Sequence, residues 1–172
     1  MGRDQRSARQ PERNAMKLSA ATFPYERAPS NAKDIFWTTD YATIYWTNPP
    51  DWAWRSVKSS VRTEDGVIWR ESTMAGECRI CVCLDPHFAF SVSVAPDTPS
   101  ATVPSSVHDW IYGHADKLSV AWCCSIKSVL RLADHWFLAL MRTTRFPFRR
   151  TYFLGVSLFG YAFNRLGAWW RR

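Results

Sequence analysis

Hydrophobic and polar positions change rhythm twice along this chain. Through residue 20 no apolar period is visible, and Arg3, Arg6, Arg9, Arg13 and Lys17 stand against Asp4 and Glu12. Such a stretch predicts a basic arm that stays mobile or orders against a partner. From Asp34 to Trp46, β-branched and aromatic residues mix with polar ones until the chain meets Pro49-Pro50, a pattern of strand and turn and not of helix. Val67-Ile68-Trp69, Arg79 to Leu84 and Phe88 to Val94 then read as short strands of a small antiparallel sheet, with breaks at Gly66, Gly76 and Asp85-Pro86. Ala95 to Ser100 is a linker by composition.

Beyond the linker the period lengthens to that of helices. Proline is tolerated in a first helical turn, where its missing N–H loses no bond, so a helix is expected from Pro104 to about Ala115. Val107, Trp110 and Ile111 form its apolar side. A second helical region is expected from about Ser119 to Met141, with Ile126, Leu130, Ala133, Phe137 and Met141 near one stripe. Pro147 breaks it, and a third helix follows from about Phe148 to Trp169. The expected class is therefore α+β, with no internal repeat. An arm (1–20) precedes one globular domain (21–172), whose residues 21–100 are mainly extended in a small antiparallel sheet and whose residues 101–172 form a bundle of about three helices. The last helix has fourteen uncharged residues between Arg150 and Arg165. A bilayer crossing needs about 20, so a core helix or an interfacial one is expected.

Composition sharpens this picture. With 172 residues, 47% hydrophobic, the chain can bury a substantial core, and its ten Trp and ten Phe favour a packed globule or an interface over disorder. The formal net charge is +7, and no carboxylate side chain follows Asp134 although seven arginines do. An anionic partner fits that tail, a membrane or lipid surface before nucleic acid. Five cysteines cannot all pair within one chain, and the opening residues are polar, so reduced thiols and synthesis in a cytoplasm are expected.

The residues richest in chemistry lie in the helical part. On a helix, His108 and Tyr112 are four positions apart and share a face, while Asp109 is turned by about 100°. Asp134 falls on the next helix, on an otherwise apolar stripe, and a half-buried carboxylate needs a partner. If the helices pack antiparallel, His108 and Tyr112 supply it. A carboxylate on one ring nitrogen fixes the tautomer and leaves the other nitrogen to take a proton from water. Asp109 then faces away and suits a hard cation such as calcium. The same three side chains equally make a satisfied network that clips two helices together. A separate set, Cys78, Cys81, Cys83 and His87, has soft ligands at spacings that allow zinc, although alternating cysteines on a strand are also common simply as buried residues.

The pattern His108-Asp109-Trp110-Ile111-Tyr112, followed by Ala133-Asp134-His135-Trp136-Phe137, resembles a family of phage and prophage proteins of unknown function. Phe36 to Tyr45, with Thr39-Asp40 and Ala42-Thr43, is similar to that family's upstream motif, and Leu158-Phe159-Gly160 to its C-terminal segment. The chain departs from the pattern where the motif's glycine, serine and proline appear as Phe36, Thr43 and Tyr45, and about fifty residues separate the two parts. The His-Asp-x-x-Tyr pattern with a second-helix Asp is also similar to calcium-dependent secreted phospholipases and the phospholipase domains of parvovirus capsids. That resemblance implies His108 as base, Asp109 as calcium ligand, and Asp134 as the group that orients His108 with Tyr112 in support. The glycine-rich calcium loop of those enzymes has no counterpart in Ser100 to Val107, which leaves Asp40 as a substitute ligand. The expected function is a phage-type, calcium-dependent lipid ester hydrolase acting at a membrane or envelope. The alternative is a non-enzymatic virion protein of a tail or capsid, made in the host cytoplasm, whose aromatics contact other subunits.

Overall fold

In the computed structural model, described over residues 23–27, 35–91, 99–155 and 157, the chain is mixed α+β with two small antiparallel sheets and five helices. The strands are β1 (Tyr25–Arg27), β2 (Ile35–Thr38), β3 (Ala42–Thr47), β4 (Val61–Arg62), β5 (Gly66–Ser72), β6 (Cys78–Leu84) and β7 (Ala89–Ser91). The helices are α1 (Asp51–Ser56), α2 (Pro99–Gly113), α3 (Ala115–Ala121) and α4 (Ile126–Thr143), with a further helical run at 149–155. The arm, most of the 95–100 linker and the end of the last expected helix lie outside the described residues. Among the described residues, no helix is long and apolar enough to cross a membrane.

The extended region divides into two sheets where one was expected. β1, β2 and β7 form the first, and β3, β6, β5 and β4, in that order, the second. The register of the larger sheet follows its alternation. Ile44 and Ile68 flank Val82, Trp46 lies opposite Ile80, and Ala42 and Gly66 flank Leu84. All eight are buried, so one face of this sheet is core. Thr38, at the end of β2, joins the sheets: its hydroxyl donates to the Asp85 carbonyl and accepts from the Phe88 amide (3.1 Å).

Helix α1 was not anticipated. Pro50 stands at its N-cap position in extended conformation, Asp51 lies in its first turn and Arg55 in its last, charges suited to the two ends of a helix dipole. Helix α2 begins at Pro99, earlier than expected, and carries Pro104 within it. A proline there cannot donate to the carbonyl four residues back. That carbonyl, of Ser100, instead accepts the Thr144 hydroxyl (2.7 Å) from the end of α4. The expected second helix is two helices, because the chain turns at Cys123, whose φ of 48° is left-handed. Ser125 then caps α4, its side chain accepting the Ser128 amide (3.1 Å). Ile126, assigned to the apolar stripe, lies in the first turn of α4 and is 40% exposed, while Leu130, Ala133, Phe137 and Met141 are buried as expected.

Much of the tryptophan load is core. Trp110, Trp122 and Trp136 are fully buried, and Trp136 stacks on Trp46 with ring centroids 5.8 Å apart. Helices α2 and α4 pack on each other, α2 also against β7 and α4 against β3, so the helical layer closes both sheets around one hydrophobic cluster.

Candidate functional site

The pairing of α2 with α4 brings His108, Asp109, Tyr112 and Asp134 together. His108 Nε2 lies 3.2 Å from Asp134 Oδ1, and the Tyr112 hydroxyl donates to that same oxygen at 2.7 Å. The other ring nitrogen, Nδ1, lies 3.4 Å from Asp109 Oδ1. Asp109 Oδ2 accepts the backbone amide of Ser91 (2.9 Å), which ties β7 to α2. The imidazole lies over the Tyr112 ring, centroids 4.1 Å apart, with Phe137 at 5.1 Å. The four-residue spacing within α2 accounts for the His108–Tyr112 pair, and only the packing of α4 adds Asp134.

Electrostatics follow from this enclosure. Burial disfavours the charged imidazole, but the hydrogen bonds and charges of Asp109 and Asp134 together outweigh it and hold the His108 pKa above its ordinary value. Burial and the Asp134 carboxylate both push the Tyr112 phenol up, so it remains a donor. The expected arrangement required one nitrogen free for water. Here each nitrogen faces a carboxylate oxygen and the residue is 9% exposed, so the charged, doubly donating ring is the form that satisfies its surroundings.

The residues assigned to calcium do not make a fitting site. Asp109 has one oxygen toward His108 and the other on the Ser91 amide. Asp40 sits exposed in the turn after β2 and accepts the Tyr41 amide (2.7 Å). Ser91 pairs with Ile35, at the opposite end of β2 from Asp40. Within the upstream motif it is Thr38 that is buried and bridging. The suggested zinc set is split as well. β6 pairs Cys78 with Ser72 and Cys81 with Trp69, and strand alternation sends Cys78 to the opposite face from Cys81 and Cys83. All five cysteines are free thiols, and burial pushes Cys81 up to about 12, the behaviour of an inert core thiol.

Beside the His108 cluster runs a groove of about 620 Å³. Asp109 and Tyr112 reach it, Phe88 and Phe90 contribute apolar lining, and Glu64, Asp65 and His114 line it too. The last three were assigned no role from sequence. Glu64-Asp65-Gly66 looks like an ordinary hairpin turn, and nothing local links it to a histidine some fifty residues away. Gly66 makes the link: a Cβ there would stand 2.5 Å from the Cys83 carbonyl oxygen and 2.9 Å from Trp110 Nε1. Only glycine lets the β4–β5 turn lie this close to α2, one helical turn before His114. Compared with known protein families, curated proteins and solved structures, the chain has no match.

Proposed function

We propose that this chain is a phage-type viral protein that works by binding and assembly, with the His108 set serving as a charged clamp between α2 and α4. The observation that carries this reading is that carboxylates face both nitrogens of an imidazole that is itself buried. A base must offer a lone pair to water, whereas a cationic ring between two aspartates holds two helices and a strand in register. The viral setting rests on the resemblance of the His108-to-Tyr112 and Ala133-to-Phe137 segments to phage and prophage proteins. The arginine-rich stretches at both ends suit contacts with other virion components or an anionic lipid surface. The protein is expected to co-purify with virus particles, and its absence from purified particles would count against assembly.

A calcium-dependent lipid ester hydrolase is the second reading, favoured by the shared contact of His108 and Tyr112 with Asp134 Oδ1. Vesicle hydrolysis with calcium separates the two. Under the clamp reading wild type, His108→Gln and Asp134→Asn all leave the lipid intact, and the variants lose stability. Calcium-dependent hydrolysis by wild type that disappears in a folded His108→Gln would replace the clamp with catalysis.

A further inference from the structure

We propose that Glu64, Asp65 and His114 bind a divalent transition-metal ion of the zinc or manganese kind on the wall of the groove. His114 is 6% exposed, and its Nδ1 lies 2.8 Å from the Trp110 carbonyl oxygen. A carbonyl can only accept, so Nδ1 carries a proton and the ring is fixed in orientation. Nε2 then points at Asp65 Oδ2 (3.4 Å) and Glu64 Oε1 (3.7 Å). A lone pair aimed at two carboxylates is unfavourable, and either a second proton or a cation relieves it. The backbone-anchored histidine beside acidic oxygens is the arrangement by which proteins set the basicity and direction of a metal-binding imidazole.

The spacing suits a metal. With metal–ligand bonds of 2.0–2.1 Å, donors in a tetrahedral shell stand about 3.3 Å apart. The two distances from Nε2 are close to that edge length, and all three ligand atoms lie within 4.8 Å of one another. The scaffold is held from both sides. The Thr63 amide donates to the Gly66 carbonyl (2.8 Å) to close the turn that carries both acids, and Gly66 packs against Trp110 on the helix that positions His114. Lys117 pairs with Glu64 through Oε2, which leaves Oε1 directed at His114.

The donor set chooses among metals. One imidazole nitrogen with two carboxylates suits zinc or manganese, whereas calcium takes an all-oxygen shell. Three protein ligands leave coordination positions open, and these face the groove lined by Phe88, Phe90 and Tyr112. A bound ion would hold water there or an anionic group of a ligand. This site stands apart from the His108 clamp and does not depend on it.

The test is calorimetric titration of the chelator-treated full chain with zinc chloride, manganese chloride and calcium chloride. One equivalent of zinc or manganese is expected to bind. Glu64→Gln and Asp65→Asn, whose parent side chains are 60% and 44% exposed and so removable without unfolding, should each weaken binding by about tenfold or more. His114→Gln should abolish it. Absence of zinc and manganese binding in wild type would overturn the proposal, as would unchanged affinity in both carboxamide variants. Zinc affinity lost in Cys123→Ser but kept in Asp65→Asn would place the ion on thiols and overturn it equally. Calcium bound as tightly as zinc, with no loss in His114→Gln, would remove the imidazole from the site.

Discussion

Asp134→Asn is the sharpest probe of the clamp. The substitution keeps size and one acceptor oxygen but removes the charge that Tyr112 and His108 share at Oδ1, at 2.7 and 3.2 Å. A hydrogen bond to a charged group contributes about 1.5–3 kcal/mol, and full rupture of a buried pair costs about 3–5 kcal/mol. The amide still accepts from Tyr112, so a loss of about 2–3 kcal/mol is expected, or roughly 5–10 °C in Tm for a chain of this size. The loss must also depend on pH. The folded His108 pKa stands above its unfolded value, so the stability it adds is fully present below about pH 6.5 and fades as pH rises through the folded pKa. The advantage of wild type over Asp134→Asn is therefore larger at pH 6 than at pH 9, by about 1.4 kcal/mol for each unit by which Asp134 raises that pKa. Urea unfolding at both pH values reads the difference, and ¹⁵N chemical shifts of the ring report whether both nitrogens carry protons at neutral pH. A neutral His108 with one bare nitrogen at pH 7, or a loss within about 0.5 kcal/mol at pH 6, would refute the reasoning.

Three other outcomes follow from local geometry. Gly66→Ala forces a Cβ against the Cys83 carbonyl oxygen and Trp110 Nε1, and denaturant titration should show about 1–3 kcal/mol lost; a neutral result would mean the turn does not rest on α2. Thr144→Val removes the hydroxyl donated to the Ser100 carbonyl and should cost about 0.5–1.5 kcal/mol. In a Pro104→Ala background a backbone amide takes over that carbonyl, so the double-mutant cycle should show a smaller loss, and strict additivity would argue against the exchange. Asp40→Ala should leave the response of Tm to calcium unchanged and stability within about 0.5 kcal/mol, because the residue is exposed in its turn; a lost calcium response would return Asp40 to a metal site.

The local pattern was a good guide wherever a segment answers to its own periodicity. The short strand read at Arg79 to Leu84 and the β-branched and aromatic stretch read within Asp34 to Trp46 cover most of the paired strands β6 and β3, and the apolar side of Val107, Trp110 and Ile111 is fully buried in α2. It guided less well where a distant residue sets the outcome. Pro104 reads as a helix start, yet it lies inside α2, where Thr144 at the end of the distant α4 donates to the Ser100 carbonyl that Pro104 has no N–H to reach, and the turn at Cys123 lies in backbone torsions that no hydrophobic period encodes. The cysteines illustrate the same limit, since ligand spacing ignores the strand alternation that separates Cys78 from Cys81.

By itself the sequence determined which side chains share an element: His108 with Tyr112 on one helical face, and Asp134 as a charge in need of a partner on an apolar stripe. Tertiary structure alone decided what those side chains meet. The packing of α2 on α4 and β7 gave His108 a second carboxylate, so that each ring nitrogen faces an acidic oxygen where one was expected to stay free. The contact of Gly66 with Trp110 brought the Glu64-Asp65 turn to His114. The physical reason is one of range: periodicity is written over a few residues, whereas the charge state and the ligands of a side chain are set by whichever remote segment burial presses against it.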